Sequence, residues 1–341
     1  MLTDVRRELH ELGNGVFAYT QLPGSWGWSN SGLIVDGDQT LLIDTLFDLK
    51  TTRDMLTTMQ NAVPAAKRID TVVNTHGNGD HCYGNALLEG SEIIGTPGCV
   101  ADLAESPPGQ LALLMRAGRL VQSLGAGGRM LGRALRVVGI DRIALLSEAA
   151  SLAVPTMGHF EFAGIKPAPP NRVFSGELEL RVGDKQVVLI ELGPAHTQGD
   201  AVVYVPEDKT IFTGDLLFKD AHPIIWNGPV SNWIAALERM LDMDVETVVP
   251  GHGVIGDKSG LREILRYLEA LSTEARRRYD AGMTVDDAVR DMALDEFRGW
   301  IDPERIYVNV HTLYRNFEGD ESQPDVLALF AKMAGLRREL S

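Results

Sequence analysis

The sequence predicts an α/β (α+β) chain with a helical insertion and a helical C-terminal extension, and three observations predict it. Short apolar runs recur between residues 15 and 44, at 69–74, between 177 and 215, and at 245–249. Segments with helical spacing fall between or after them, at 48–62, 230–241 and 263–278. Most residues able to hold a metal or move a proton stand just past an apolar run, where side chains leave a sheet and enter a crevice.

Composition narrows the class. The 341 residues are 44% hydrophobic and 23% charged, ordinary globular values that exclude long disorder. A net charge of −15 argues against a nucleic-acid partner, because phosphate binding needs a positive footprint. The two cysteines, Cys82 and Cys99, are too few for a disulfide framework. No apolar run approaches the roughly 20 residues of a bilayer span, and no basic-then-apolar leader opens the chain. A cytoplasmic protein without a membrane partner is expected, a homodimer being one option for its assembly.

Taken in order, residues 15–20, 31–35 and 40–44 read as strands. The turn-rich stretch 23–30 carries Trp26 and Trp28, which read either as a substrate flap or as cover for one end of the sheet. Asp44 ends its strand. A helix over 48–62 has its apolar face at Leu49, Met55, Leu56 and Met59, and strand 69–74 then delivers Thr75, His76, Gly77, Asn78, Gly79, Asp80 and His81. Two imidazoles, a carboxylate and an amide within six residues, with glycines between them, form a metal-site signal. Cys82 opens a short helix to Leu88 and reads as a core thiol, since no activating partner is visible.

Residues 97–170 read as an insertion. Leu111 to Val138 has helical spacing broken at Gly125–Gly128, suggesting two helices, and carries Arg116, Arg119, Arg129, Arg133 and Arg136. These arginines read as a lid, as a dock for an anionic carrier, or as a solvated face. Strands return at 177–181, 186–191, 201–205 and 210–215, with His196 in the Gly/Pro-flanked loop 193–200 and Asp215 at a strand end. A helix at 230–241 and a strand at 245–249 lead to His252. The expected division is a metal-binding domain over 1–255 and a helical extension over 256–341 packed on it.

Four of the eight histidines thus sit at strand ends in Gly-rich loops beside Asp44, Asn78, Asp80 and Asp215. From about residue 14 to 255, this order resembles the metallo-β-lactamase superfamily: a strand-terminal Asp, His-x-His-x-Asp-His, a Gly/Pro-flanked His, an Asp after Thr-Gly, then Gly-His. The resemblance implies a four-layer αββα sandwich with metal at one edge of two sheets. It implies His76 and His196 as ligands of a first metal, Asp80, His81 and His252 as ligands of a second, Asp215 as a bridge, and Asp44 orienting a ligand.

The departure is Asn78, where the pattern has histidine. An amide oxygen is a weaker zinc ligand than imidazole, so one tight zinc and a weak or absent second are expected, with iron or manganese as alternative metals. Zinc lowers the pKa of bound water to about 7, and Asp80 is placed to position or deprotonate that water. His222, in the loop after Asp215, is a further catalytic candidate. Trp26, Trp28, Trp226, Asn227, His311 and Tyr314 are substrate-binding candidates.

The function implied is a metal-dependent hydrolase of an acyl bond (ester, thioester or lactone) in a bulky, partly apolar or carrier- or CoA-linked substrate. A thioesterase-cyclase on carrier-bound polyketides is one version. The alternatives on the same fold are a single-iron oxygenase, a dehalogenase, a phosphodiesterase, and a binding module with a degenerate metal site.

Overall fold

A computed structural model describes residues 5–123, 141–292, 294–320 and 322–340. Among them a seven-stranded sheet runs in chain order from β1 (Arg6–Gly13) through β2 (Val16–Leu22), β3 (Ser31–Asp36), β4 (Gln39–Ile43), β5 (Thr71–Val73) and β6 (Glu92–Gly95) to β7 (Arg172–Val173). A five-stranded sheet has the order β12 (Thr247–Val249), β11 (Thr210–Phe212), β10 (Ala201–Val205), β9 (Lys185–Glu191) and β8 (Glu177–Val182).

The layering follows from side-chain alternation. Successive strand residues point to opposite faces, so an apolar pair in sequence needs two cores. Ile34, Leu41, Ile43, Val73 and Ile94 of the first sheet meet Leu189, Val203, Phe212 and Val249 of the second in a core between the sheets. Their chain neighbours Leu33, Leu42, Val72 and Ile93 face outward against Met55, Leu56 and Met59 of α1 (Leu49–Ala62). On the far side Val202, Ile211 and Val248 belong to the cluster that holds Trp233 and Leu237 of α6 (Val230–Asp242). The result is the αββα sandwich. Gly32 is required at its centre, because a Cβ there would overlap the ring of Phe212.

Between β5 and β6 lie α2 (Gly79–Cys82) and a 3-10 turn, Tyr83–Leu87, in place of one short helix. The insertion contributes α3 (Pro97–Glu105), α4 (Pro108–Ser123) and α5 (Asp141–Met157). The expected break at Gly125–Gly128 and Arg129, Arg133 and Arg136 lie outside the described residues. After β12 come α7 (Lys258–Asp280), α8 (Val285–Asp291), α9 (Ile306–Glu318) and α10 (Val326–Leu340). Their buried side chains, among them Leu261, Leu271, Val308 and Leu329, join the same cluster as α6 and the second sheet. No helix among the described residues is long and apolar enough to cross a membrane.

Candidate metal centre

Parallel pairing of β4 with β5, and of β11 with β12, brings the chain out of both sheets at one edge. Asp44 follows β4, His76 to His81 follow β5, Asp215 follows β11 and His252 follows β12, while His196 lies in the loop from β9 to β10. All the ligand candidates but Asn78 and Asp80 are buried.

Each histidine is held by Nδ1, which leaves Nε2 for the centre. His81 donates to Oδ2 of Asp44 at 2.8 Å, His196 to the carbonyl of Ile224 at 2.6 Å, and His252 to that of Gly24 at 3.1 Å. His76 Nδ1 lies 3.0 Å from the Thr75 hydroxyl, which donates onward to Asp44 Oδ2 at 2.7 Å. Asp44 therefore orients two imidazoles, and its other oxygen accepts the Thr75 N–H at 2.8 Å. Its backbone has a positive φ of 57°, a strained conformation of the kind that persists where surrounding bonds over-determine it.

Around Asp215 the inward atoms converge. Oδ1 lies 3.2 Å from His81 Nε2 and 3.4 Å from His252 Nε2, and His252 Nε2 lies 3.5 Å from Asp80 Oδ2. Atoms sharing a tetrahedral zinc at bonds of about 2.05 Å stand about 3.3 Å apart, close to these three separations. Two triads, Asp80 with His81 and His252, and His76 with His81 and Asp215, each bring one ligand atom per residue within 4.8 Å of the others. Oδ2 of Asp215 faces the other group, 3.3 Å from His196 and 3.7 Å from His76. His81 Nε2 and Asp215 Oδ1 are buried without a hydrogen-bond partner, a costly arrangement that an ion bound to both would relieve, and His76 Nε2 beside them is unpartnered as well.

The charges agree with that fit. For Asp215, burial favours the neutral acid, but His252, His81 and His76 outweigh it and hold the carboxyl well below the usual range. Burial would lower His81, yet Asp215 and Asp44 carry it well above an ordinary histidine; the same contest, won by Asp215 and Asp80, brings His252 to about 9. Burial and the neighbouring His81 push His76 well down.

Other expected site residues divide. Trp26, Trp226 and Asn227 line a cavity of about 950 Å³ that opens from Asp80, His196, Asp215 and His252. Trp28 does not line it: its ring packs on Phe160 at 4.5 Å and His159 at 5.4 Å, so of the two tryptophans only Trp26 borders the cavity. His222 corrects the expectation of a catalytic group. Its ring is buried with Tyr267 and Trp300, bonded to the Tyr267 hydroxyl at 3.1 Å outside the cavity lining, and burial with nearby Arg305 lowers its pKa to about 4.

His311 and Tyr314 also lie outside the cavity lining, Tyr314 against Tyr279 at 5.1 Å; the face of α9 that carries them turns elsewhere. Cys82 is buried and donates to the carbonyl of His76 at 3.0 Å, and burial pushes its thiol well above the usual value, in keeping with a core residue. Arg116 and Arg119 are exposed on α4, Arg119 donating to the Gly158 carbonyl at 2.6 Å.

Sequence reasoning missed three contributors. The Thr75 hydroxyl is a relay, visible in sequence only as a hydroxyl beside a ligand. Gly251 lies so close to Asp215 that a Cβ would overlap Oδ1. The cavity wall that α10 adds at Phe330 comes from a segment with no motif of its own.

Three similarities bear on this architecture. A segment of 136 residues, 39% of this chain, is 27% identical to the 2,4-dinitroanisole O-demethylase subunit alpha of Nocardioides sp. (strain JS1661), and spans only 36% of that protein's length. A metallo-beta-lactamase from Pontibacter korlensis superposes with a TM-score of 0.54 at 18% identity, covering 77% of this chain and 99% of its own. A double mutant of the sec-alkyl sulfatase PisA1 superposes with a TM-score of 0.64 at 15% identity, covering 94% of this chain and 51% of its own. The sequence profile of the metallo-beta-lactamase superfamily matches residues 24–252, the span that runs from the Trp26 loop to the last histidine of the centre, and the chain belongs to that superfamily.

Proposed function

We propose that the chain is a metal-dependent hydrolase of an acyl bond (an ester, a thioester or a lactone) in a substrate with a bulky apolar body. The observation that carries this reading is the cavity that joins the metal centre to walls of Trp26, Phe47, Tyr83, Met115 and Phe330. Such walls bind apolar groups by burying their surface, about 25 cal/mol for each Å² removed from water.

Zinc at the centre would bring the pKa of a bound water to about 7 and polarise an acyl oxygen. The protein residues supply the rest. Asp80 is the most open carboxylate of the cluster, its side chain 15% exposed against 3% for Asp215, so its oxygen is the one that receives a proton from attacking water. Asp44 and Thr75 keep His81 and His76 in the tautomer that points Nε2 inward. The aromatic walls hold the acyl body and keep bulk water from the cleavage site.

A second reading, hydrolysis of an alkyl sulfate, is favoured by Arg305, which lines the same cavity with its Nε unpartnered while its other nitrogens are held by Asp302 and the His222 carbonyl. One test serves both. Zinc-reconstituted protein is offered acyl esters, thioesters, lactones and alkyl sulfates of matched chain length. Zinc-dependent turnover of acyl substrates that rises with chain length supports the first reading, and turnover confined to alkyl sulfates replaces it with the second. Absence of zinc-dependent turnover of any of them rejects both.

A further inference from the structure

The two halves of the centre are built alike except at Asn78. Its carboxamide nitrogen lies 2.9 Å from Nε2 of His196. His196 donates from Nδ1 to Ile224, so in its neutral form Nε2 carries a lone pair, and the only group that can sit favourably on it at that distance is a donor. The Asn78 N–H therefore points along the direction in which His196 would bind a metal. The separation agrees with a hydrogen bond and is shorter than the roughly 3.3 Å between two ligands of a tetrahedral zinc. Asn78 makes no other side-chain hydrogen bond among the described residues, so nothing turns its carbonyl oxygen toward the centre.

We propose that Asn78 keeps this centre to a single ion, held by Asp80, His81, His252 and Asp215, by closing the lone pair of His196 with a hydrogen bond. Because His81 is common to both candidate triads, a second ion in the other half finds His81 taken and must either break that bond to free His196 or rely on His76, one oxygen of Asp215 and a neutral amide. This deepens the proposed function by fixing its metal count, and rests on the metal centre of that reading rather than on the bond cleaved. On this proposal His196 shapes the cavity beside the ion and is not a ligand to it.

The test reads bound metal without substrate, so it is independent of whether an acyl or a sulfate ester is the natural target. Metal-free protein is loaded with zinc, dialysed against a weak chelator, and its zinc measured by mass spectrometry beside a thermal melt that confirms folding. Wild type is expected to retain about one zinc per chain, and Asn78→His about two. His196→Ala is expected to retain about one, and His252→Ala to lose the tight ion. Two tightly held ions in wild type, loss of the retained ion in folded His196→Ala, or a single ion in folded Asn78→His would each overturn the proposal. Wild type alone decides the count if a variant fails to fold.

Discussion

The backbone of Gly251 lies against Oδ1 of Asp215 so closely that a side chain on residue 251 would overlap the carboxylate. That oxygen faces both His81 and His252, so displacing it moves the point on which the centre converges. Gly251→Ala is expected to cost about 1–3 kcal/mol of stability by overpacking and to weaken zinc binding at least about tenfold. Urea unfolding and chelator competition on the same preparation check both.

Asp44 bonds His81 directly and reaches His76 through Thr75. Asp44→Asn keeps the size but removes the charge and one acceptor. Zinc affinity is expected to fall about 10- to 100-fold with little change in the far-ultraviolet circular dichroism. An affinity equal to wild type would show that the tautomers are fixed without the carboxylate.

Asp102, on α3 behind the His196 loop, gives a pH signature. Burial, with the nearby charge of Asp200, raises its pKa from 3.8 to about 6. An acid raised in the folded state favours folding while it is protonated, and that contribution is lost as pH rises from 3.8 through about 6. Asp102→Asn, which keeps an acceptor for the Gln198 N–H, is expected to match wild type near pH 3.5 and to exceed it by about 2 kcal/mol above pH 7. Denaturation at both pH values checks the sign, and a variant no more stable at high pH would refute it.

Phe330 lines the cavity without offering a metal ligand, its ring 5.5 Å from Trp26 and 6.2 Å from Trp226. Removing it takes away apolar contact but no ligand. Phe330→Ala is expected to raise KM for long-chain substrates about tenfold, to change KM little for short ones, and to leave bound zinc unaltered.

The candidate residues of the metal centre were legible because their chemistry is written in side chains at strand ends, a place the period-two pattern marks. Asp44, His76, Asp80, His81, His196, Asp215 and His252 all lie where that pattern stops. What fixes them was less legible: the carbonyls of Gly24 and Ile224 are groups that every residue carries, and only folding selects those two. β1 escaped because it is an edge strand with mostly exposed or half-buried residues, so no apolar alternation was needed. α3 and α5 escaped as well, being short of the regular apolar spacing that marked α1 and α7. His222 misled because adjacency to Asp215 in sequence does not determine direction: the chain turns after β11 and buries that ring against α7.

Trp26 and Phe330 touch across 304 positions of chain, whereas the proposed ligands and Asp44 end at His252. The cavity wall that begins among the candidate metal residues is thus completed by a later length of the polypeptide. A ribosome releasing this chain would have extruded every ligand before the last wall of the cavity existed. Cavity-lining positions of α10 such as Phe330 are consequently the place to change what enters without replacing a candidate ligand.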